Sequence, residues 1–599
     1  VSVESKIKPS SLNLSRLALG WVAGTGAAYF LTSFFSNFYS GTDRFILLGL
    51  GLNVLCAAAA AWIVDEAWTR LRSGWRTEWP GLLVLLLASF LTMGAVRVSM
   101  GFPGLFDSRL LFMENSRLPL FIGLSVLSFP LTYFLLRRVR EQRLPASFVK
   151  FARENFSGLL LAAFFFATYF TFAETVNFPG HRTLDEYFDM DVSAWLARLS
   201  ASSAQEITDV VRAVHPAVLL FLRPLVWFIS LFLNGNRLHA VFVLHALVAA
   251  SCVFLMWRIV KRASGRTTYA LAMASLLGVS ASHLLLGSML ETYIYSALAL
   301  LIFVSILQNE KVSLWSTIPA GVLVFGITVT NLAQAVVLYF IKQPRLKVII
   351  NFLLLVVGLT LLLNVLQVWI YPAATLVTPS NLKNERSYQF DLFESTWRRN
   401  GRISLEARAV TSYGIVAPSP YVLTEELGVP YPNFRTFKIT TGEFHVAGYA
   451  GLADVTARLW MLALAAAIIF FIARFLATTK LGVIARRVLV PTKQSPLQET
   501  ASQQTLAVTI PDSRSTLALS LLMCIGFNLA LHIIYGDDPM LYSPDWTYAL
   551  VLFVALAFAQ FADRKWFQIA SVIFLALLMV VNVGLLRQIM EVSAPFYGK

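Results

Sequence analysis

Apolar residues along the chain come in long unbroken runs separated by short charged or polar stretches, with little of the alternation that marks half-buried strands. A helix needs about 20 apolar residues to cross the hydrocarbon layer, because only a helix or a closed barrel satisfies its own backbone there. Fifteen segments meet or approach that length: 14–36, 45–64, 80–98, 118–136, 157–174, 238–257, 268–286, 291–307, 314–328, 330–341, 348–370, 456–476, 516–535, 545–562 and 566–586. They predict an all-α polytopic membrane protein with about 15 transmembrane helices. The stretch 314–341 reads as a hairpin or re-entrant pair, broken near Gly326, Thr328, Thr330 and Asn331.

Charge fixes the expected sidedness. Basic clusters stand at Arg70/Arg72/Arg76, Arg137/Arg138/Arg140/Arg143, Arg258/Lys261/Arg262/Arg266, Lys342/Arg345/Lys347 and Lys480/Arg486/Arg487, and the positive-inside rule places all of them in the cytoplasm. A break in 314–341 makes this possible. The amino terminus is then inside, the carboxyl terminus outside, and two large loops, about 175–237 and 371–455, lie outside. Within the first loop the apolar run 216–233 is read as an interfacial helix: counting it as a span inverts the next basic loop, and it carries Arg223 and Pro224. Val192, Trp195, Leu196, Leu199, Ile207, Val210, Val211 and Val214 recur at helical spacing just before it, which predicts a second amphipathic juxtamembrane helix. The resulting division is a four-span region at 1–150, a membrane core at 151–370, the outer loop region 371–455 and a four-span region at 456–599. The polar stretch 488–515 reads as an inner linker, and no internal repeat is evident.

Composition supports the class. Of 599 residues 57% are hydrophobic and 14% charged, against about 25% charged in ordinary soluble domains. The net charge of +15 would suggest a nucleic-acid partner in a soluble protein, but here the inner segments hold 28 Lys and Arg against 10 Asp and Glu, so the excess is an orientation signal and no nucleic-acid partner is expected. Cys56, Cys252 and Cys524 fall in apolar runs without metal-ligand spacing. No removable signal peptide is expected ahead of the first span.

Candidate chemistry gathers at the exit of the fifth span, where Glu174, Asp185, Glu186, Asp189 and Asp191 place five acids in 18 residues. The bland reading is a solvated loop. The order of parts argues for more: a span leading outward, the pair Asp185-Glu186, an amphipathic stretch, His215-Pro216 opening an interfacial helix, then an inward span ending in a basic loop. In this order the chain, from about 150 to 370, resembles the GT-C superfamily of membrane glycosyltransferases, which use polyprenyl-phosphate sugars and include the protein O-mannosyltransferases and the aminoarabinose transferases. Asp185-Glu186 matches the acidic motif of the family's first outer loop. His215-Pro216 resembles the start of the His-Pro-Pro segment of the O-mannosyltransferases, although Ala217 replaces the second proline. The four spans before residue 150 lie outside the common core.

The resemblance implies a sugar transferase with a polyprenyl-phosphate sugar as donor partner and Asp185 as general base. The chemistry agrees: the acceptor hydroxyl needs a carboxylate, and the departing phosphate needs cationic or hydrogen-bonding groups. Glu186 and Glu291 are further catalytic candidates. Glu291 sits at an outer turn where a lone carboxylate near lipid is costly, and a turn or cap role is the alternative. His215, Arg223 and Arg237 are candidates for the phosphate, with snorkelling to the headgroups as the bland account of each arginine. Tyr293, His532, Asp537 and Tyr542 are substrate-lining candidates at outer turns, or members of an aromatic interfacial belt. No cofactor is required, and the Asp189-Met190-Asp191 pattern is compatible with a divalent cation. Two other readings stand beside this one: a transporter or flippase of lipid-linked substrates, and a non-catalytic subunit with partners in a membrane complex. The absence of glycosylation sequons from the outer loops favours a bacterial inner membrane.

Overall fold

A computed structural model describes residues 14–141, 146–180, 190–385, 413–414, 416–417, 436–439, 442–445, 450–478, 513–535 and 539–597. The elements are α1 (Leu14–Ser36), α2 (Thr42–Met100), α3 (Leu118–Glu141), α4 (Ala146–Glu154), α5 (Phe156–Gly180), α6 (Val192–Ser200), α7 (Val218–Leu231), α8 (Arg237–Ser264), α9 (Thr267–Val279) and α10 (Ala281–Leu286). They continue with α11 (Tyr293–Leu307), α12 (Leu314–Ile327), α13 (Asn331–Lys342), α14 (Leu346–Ile370), α15 (Pro379–Lys383), α16 (Ala450–Thr478), α17 (Ser513–Ile534), α18 (Pro539–Tyr542), α19 (Pro544–Ala557) and α20 (Lys565–Tyr597). Apart from the helices, β1 (Thr436–Ile439) pairs antiparallel with β2 (Gly442–His445). The protein is a polytopic, all-α membrane protein.

Each of the fifteen expected segments is helical. Among the described residues ten stretches are long and apolar enough to cross a membrane. The other five expected spans fall on shorter apolar helices: α9, α11, α12, α13 and α19. At about 1.5 Å per residue helices of 12 to 15 residues reach roughly 18 to 23 Å, short of the ~30 Å hydrocarbon layer. α9 is buried along almost its whole length and α19 along all of it, so neighbouring protein replaces lipid around these two, while α13 is buried along one face and leaves Phe340 exposed.

α2 is one run of 59 residues with non-helical backbone at Gly74. The chain reverses there, because Arg117 at the start of α3 lies over the Phe45 ring near the start of α2, 5.4 Å from its centroid. Against the first arm, α1 packs at backbone distance. A Cβ on Gly20 would stand 2.3 Å from the Ala61 Cα, and one on Gly24 would stand 2.4 Å from that of Ala57. This is the small-xxx-small approach by which membrane helices associate without a hydrophobic driving force.

Contacts sort the polar residues to two ends of the bundle. At the basic end Arg16 pairs with Asp65, Arg153 with Glu66, Arg266 with Asp563, and Lys261 donates to the Glu154 carbonyl. At the opposite end Ser33 and Asn37 hold the Arg109 carbonyl, and Arg212 pairs with Glu385. Of the expected inner clusters, those that hold Arg70 and Lys261–Arg266 thus share one end, with the turns at Arg109 and Arg212 at the other; the cluster at Lys480, Arg486 and Arg487 lies outside the described residues.

The break between α12 and α13 falls at Thr328–Thr330, as the polar residues there predict. Its freed backbone groups are taken up by the segment before α7. Ala217 N–H donates to the Gly326 carbonyl at 2.8 Å, and Val329 N–H to the Val214 carbonyl at 3.0 Å. α14 contributes as well: Gln367 and Asn364 donate to the His215 and Pro216 carbonyls, each at 3.0 Å.

The two juxtamembrane helices differ from expectation in one case. α7 has the expected two faces: Val218, Leu219, Leu222 and Val226 are buried, while Trp227, Phe228 and Leu231 are exposed. The stretch before it is helical only as α6, Val192–Ser200, and that helix is buried in the protein on nearly every side. Ile207, Val210, Val211 and Val214 lie outside the helix. Val211 bridges Ala374 and bonds Ala373 and Thr375, so the tail of the first large loop pairs with the start of the second. The run Ser200-Ala-Ser-Ser203 offers no helix-stabilising face, and backbone pairing with 373–375 replaces the helix.

Candidate functional site

The loop end of the bundle brings several of the expected residues together. Asp191, the residue preceding α6, donates its backbone N–H to Glu291 Oε1 at 2.8 Å, and Glu291 Oε2 accepts from Thr292 N–H at 2.8 Å. Glu291 stands in the turn between α10 and α11 and is 3% exposed. Burial, reinforced by the nearby Asp191 charge, pushes its carboxyl up to about 8. The opposing charge is Arg198 of α6, a buried guanidinium whose Nη2 donates to the Val210 carbonyl at 3.0 Å and which lies 4.7 Å from the centroid of Trp195. Its burial lowers its pKa, against the pull of Asp191, Asp209 and Glu291.

Behind this pair lies His215. Its Nδ1 is 2.7 Å from the Ile327 carbonyl at the α12 terminus, and its ring meets Trp195 edge-on with centroids 5.4 Å apart. Burial pushes it down to about 4, so at neutral pH it is an uncharged Nδ1–H donor that holds the helix break in place. That is a positioning role.

An aromatic group forms the next wall. Tyr293 opens α11 and meets Tyr542 of α18 at 5.1 Å between ring centroids; Tyr542 also meets His532 at 4.7 Å and Tyr535 at 5.8 Å. Tyr535 in turn reaches Arg212: the guanidinium Nη2 donates to the Tyr535 hydroxyl at 3.2 Å, its Nε donates to Glu385 Oε1 at 3.1 Å, and the tyrosine O–H donates to Glu385 Oε2 at 3.1 Å. Elements from the first large loop, the second and the turn between α17 and α19 therefore converge. Below the aromatic wall Asn331 donates to Asp545 at 2.8 Å, and Gln334 links Asn331, the Asp545 carbonyl and Tyr548.

Arg223 and Arg237 point elsewhere. Arg223 donates to the carbonyls of Arg198 and Ala201 at 2.6 and 2.8 Å, and Arg237 donates to Ala201 at 2.6 Å. Together they cap the carboxyl end of α6, where cations complement the helix dipole. They also line a cavity of about 320 Å³ with Tyr371, Ser202 and Trp227, beside the exposed apolar face of α7.

Asp185, Glu186, Asp189 and Asp537 lie outside the described residues. Asp191 is described, and among the described residues no group of three or more His, Cys, Asp or Glu is placed to hold a metal ion. Arg198, Arg212, Glu385, Asn364 and Gln367 were not among the sequence candidates. A signal for the two arginines was present: each interrupts an apolar run of the first loop. Glu385 carries none, because its partner is 173 residues away. No protein-family model matches this chain, and no curated protein and no solved structure matches it.

Proposed function

We propose that the protein is an integral-membrane glycosyltransferase of GT-C type, which moves a sugar from a polyprenyl-phosphate donor to an acceptor at the outer face of the membrane, with Asp185 as general base. The observation that carries this reading is the hydrogen bond from Asp191 to buried Glu291. Through the Asp191 backbone N–H it ties the residue that follows the acidic segment to a cluster of cationic, aromatic and amide groups at one end of a membrane bundle. Arg223 and Arg237 bring two positive charges to a cavity beside the lipid-facing side of α7, which suits the phosphate of a donor arriving from the bilayer. A lined apolar groove of about 400 Å³ between α9, α16, α19 and α20, with Met273, Trp460, Phe558 and Phe574 among its walls, suits an isoprenoid tail. In this reading the orientation is that of a bacterial inner membrane protein with the amino terminus in the cytoplasm, and a divalent cation at Asp189 and Asp191 is optional.

A second reading rests on a specific feature. The helix break at Thr328–Thr330 beside the buried Asn331–Asp545–Gln334 network is the kind of discontinuous element from which transporters build midplane sites. Imaging the protein in nanodiscs with a polyprenyl monophosphate separates the two. The transferase reading expects headgroup density at Arg223 and Arg237; density at the Asn331–Asp545 network, with none at the arginines, supports transport instead.

A further inference from the structure

A second cavity, of about 760 Å³, opens at the same end of the bundle and shares no lining residue with the Asp191–Glu291 cluster. It lies where the tip of α1 and the loop between α2 and α3 meet α5 and α8, so the four amino-terminal helices supply one wall and the core supplies the other. At its base stands Glu174 of α5, its side chain 3% exposed, with Oε1 2.8 Å from Nδ1 of His239 on α8. With Nδ1–H given to the carboxylate, the Nε2 of a neutral His239 is a hydrogen-bond acceptor. At the rim Arg109 closes on Asp107, donating through Nε at 3.0 Å and Nη2 at 2.8 Å.

The electrostatics say what kind of ligand fits. The Glu174 carboxylate is met by the Nδ1–H of His239 and Asp107 by Arg109, so each acid already has a hydrogen-bonding partner in the wall, and a bare ion gains little by entering. What the wall offers is directional hydrogen bonding. Asn236, which lines the cavity, accepts from the His239 backbone N–H through Oδ1 at 3.1 Å, and its amide NH₂ is a donor. Aromatic rings flank these groups: Phe38 and Phe242 meet the His239 ring edge-on at 5.2 and 6.2 Å between centroids. Paired acids, an amide and aromatic faces in a cavity of this size suit a neutral polyhydroxylated ring, whose hydroxyls fill the polar groups while its C–H face covers an aromatic ring.

We propose that this cavity is a carbohydrate-binding site, distinct from the cluster around Glu291 and independent of the transferase reading. Its ligand is a sugar, either free or as the headgroup of a glycolipid. The test uses the full-length protein in nanodiscs, as wild type, Glu174→Gln and Phe38→Ala. Saturation-transfer NMR with glucose, mannose, galactose and arabinose reads free sugars. Native mass spectrometry of protein released from nanodiscs containing monoglycosyl diacylglycerol reads the lipid-borne headgroup. The proposal expects binding in at least one arm, reduced at least about fivefold in both variants; the arm that responds identifies the source. Phe38→Ala decides the matter alone if Glu174→Gln does not fold. No binding in either arm, or equal binding by wild type and the folded variants, overturns the proposal.

Discussion

The carboxylate of Glu291 and the backbone N–H of Asp191, 100 residues apart in sequence, are joined by a 2.8 Å hydrogen bond. Replacing Glu291 with Ala leaves that N–H and the Thr292 N–H without their acceptor in a buried turn, which costs about 1–3 kcal/mol. Thermal unfolding in detergent should show the loss, with Glu291→Gln milder because its carbonyl oxygen still accepts one bond. An unchanged melting temperature for Glu291→Ala contradicts the role given to the turn.

The same residue sets a pH dependence. Burial pushes the Glu291 carboxyl up to about 8, so between the ordinary carboxylate range and that value the unfolded chain has lost a proton that the folded protein still holds. The contribution of this group to stability is therefore fully present at low pH and is lost as pH rises from about 4.5 to about 8. Measured against Glu291→Gln across that window, the wild type should lose melting temperature as pH rises. A difference that is flat or of opposite slope refutes the assignment.

Arg212, Glu385 and Tyr535 fasten three distant parts of the chain. The pair is only partly screened, with side chains 32% and 14% exposed, and a charge-assisted geometry of this kind is worth about 1–2 kcal/mol after allowance for solvent. A double-mutant cycle of Arg212→Ala and Glu385→Ala should return a coupling of that size. Additive losses would mean that the two residues act independently.

At Gly24 a side chain would have to enter the backbone of α2, while at Gly26, two residues on, nothing lies within 4 Å. Gly24→Leu should therefore destabilise the α1–α2 contact by about 1–3 kcal/mol or more, and Gly26→Leu should be close to neutral. Differential scanning of the two variants checks this; equal effects argue against the close approach.

Much of the bundle was legible because the physics that places a helix in lipid is written locally. A long apolar run needs no distant partner to be recognised, and the α12–α13 break announces itself through Thr328, Thr330 and Asn331. What escaped depends on contacts far apart in sequence. The periodicity from Val192 to Val214 is real, yet only its first nine residues are helical, because Val211 finds backbone partners at 373–375. His215 was legible as a residue of interest and not as a neutral holder of the helix break, since its acceptor is the carbonyl of Ile327, 112 residues away. The short helices show the same limit: hydropathy marks them as apolar, while the lengths of α9 and α19 are tolerated because other helices enclose them.

Sidedness is open to labelling. Single cysteines in place of Asp185, Arg262 and Asn400, in a background lacking Cys56, Cys252 and Cys524, should react with an impermeant maleimide from outside at 185 and 400 and resist it at 262. Reaction at 262 in sealed right-side-out vesicles would invert the arrangement.

The central claim is sugar transfer from a polyprenyl phosphate, and the most direct measurement is transfer itself. Purified protein in nanodiscs is supplied with radiolabelled polyprenyl-phosphate sugars and a membrane extract as acceptor, for the wild type and for Asp185→Asn. The account predicts that label leaves the donor with the wild type and that Asp185→Asn slows this by a factor of about 100 or more; equal release by the two proteins, or none by the wild type with any donor, contradicts it.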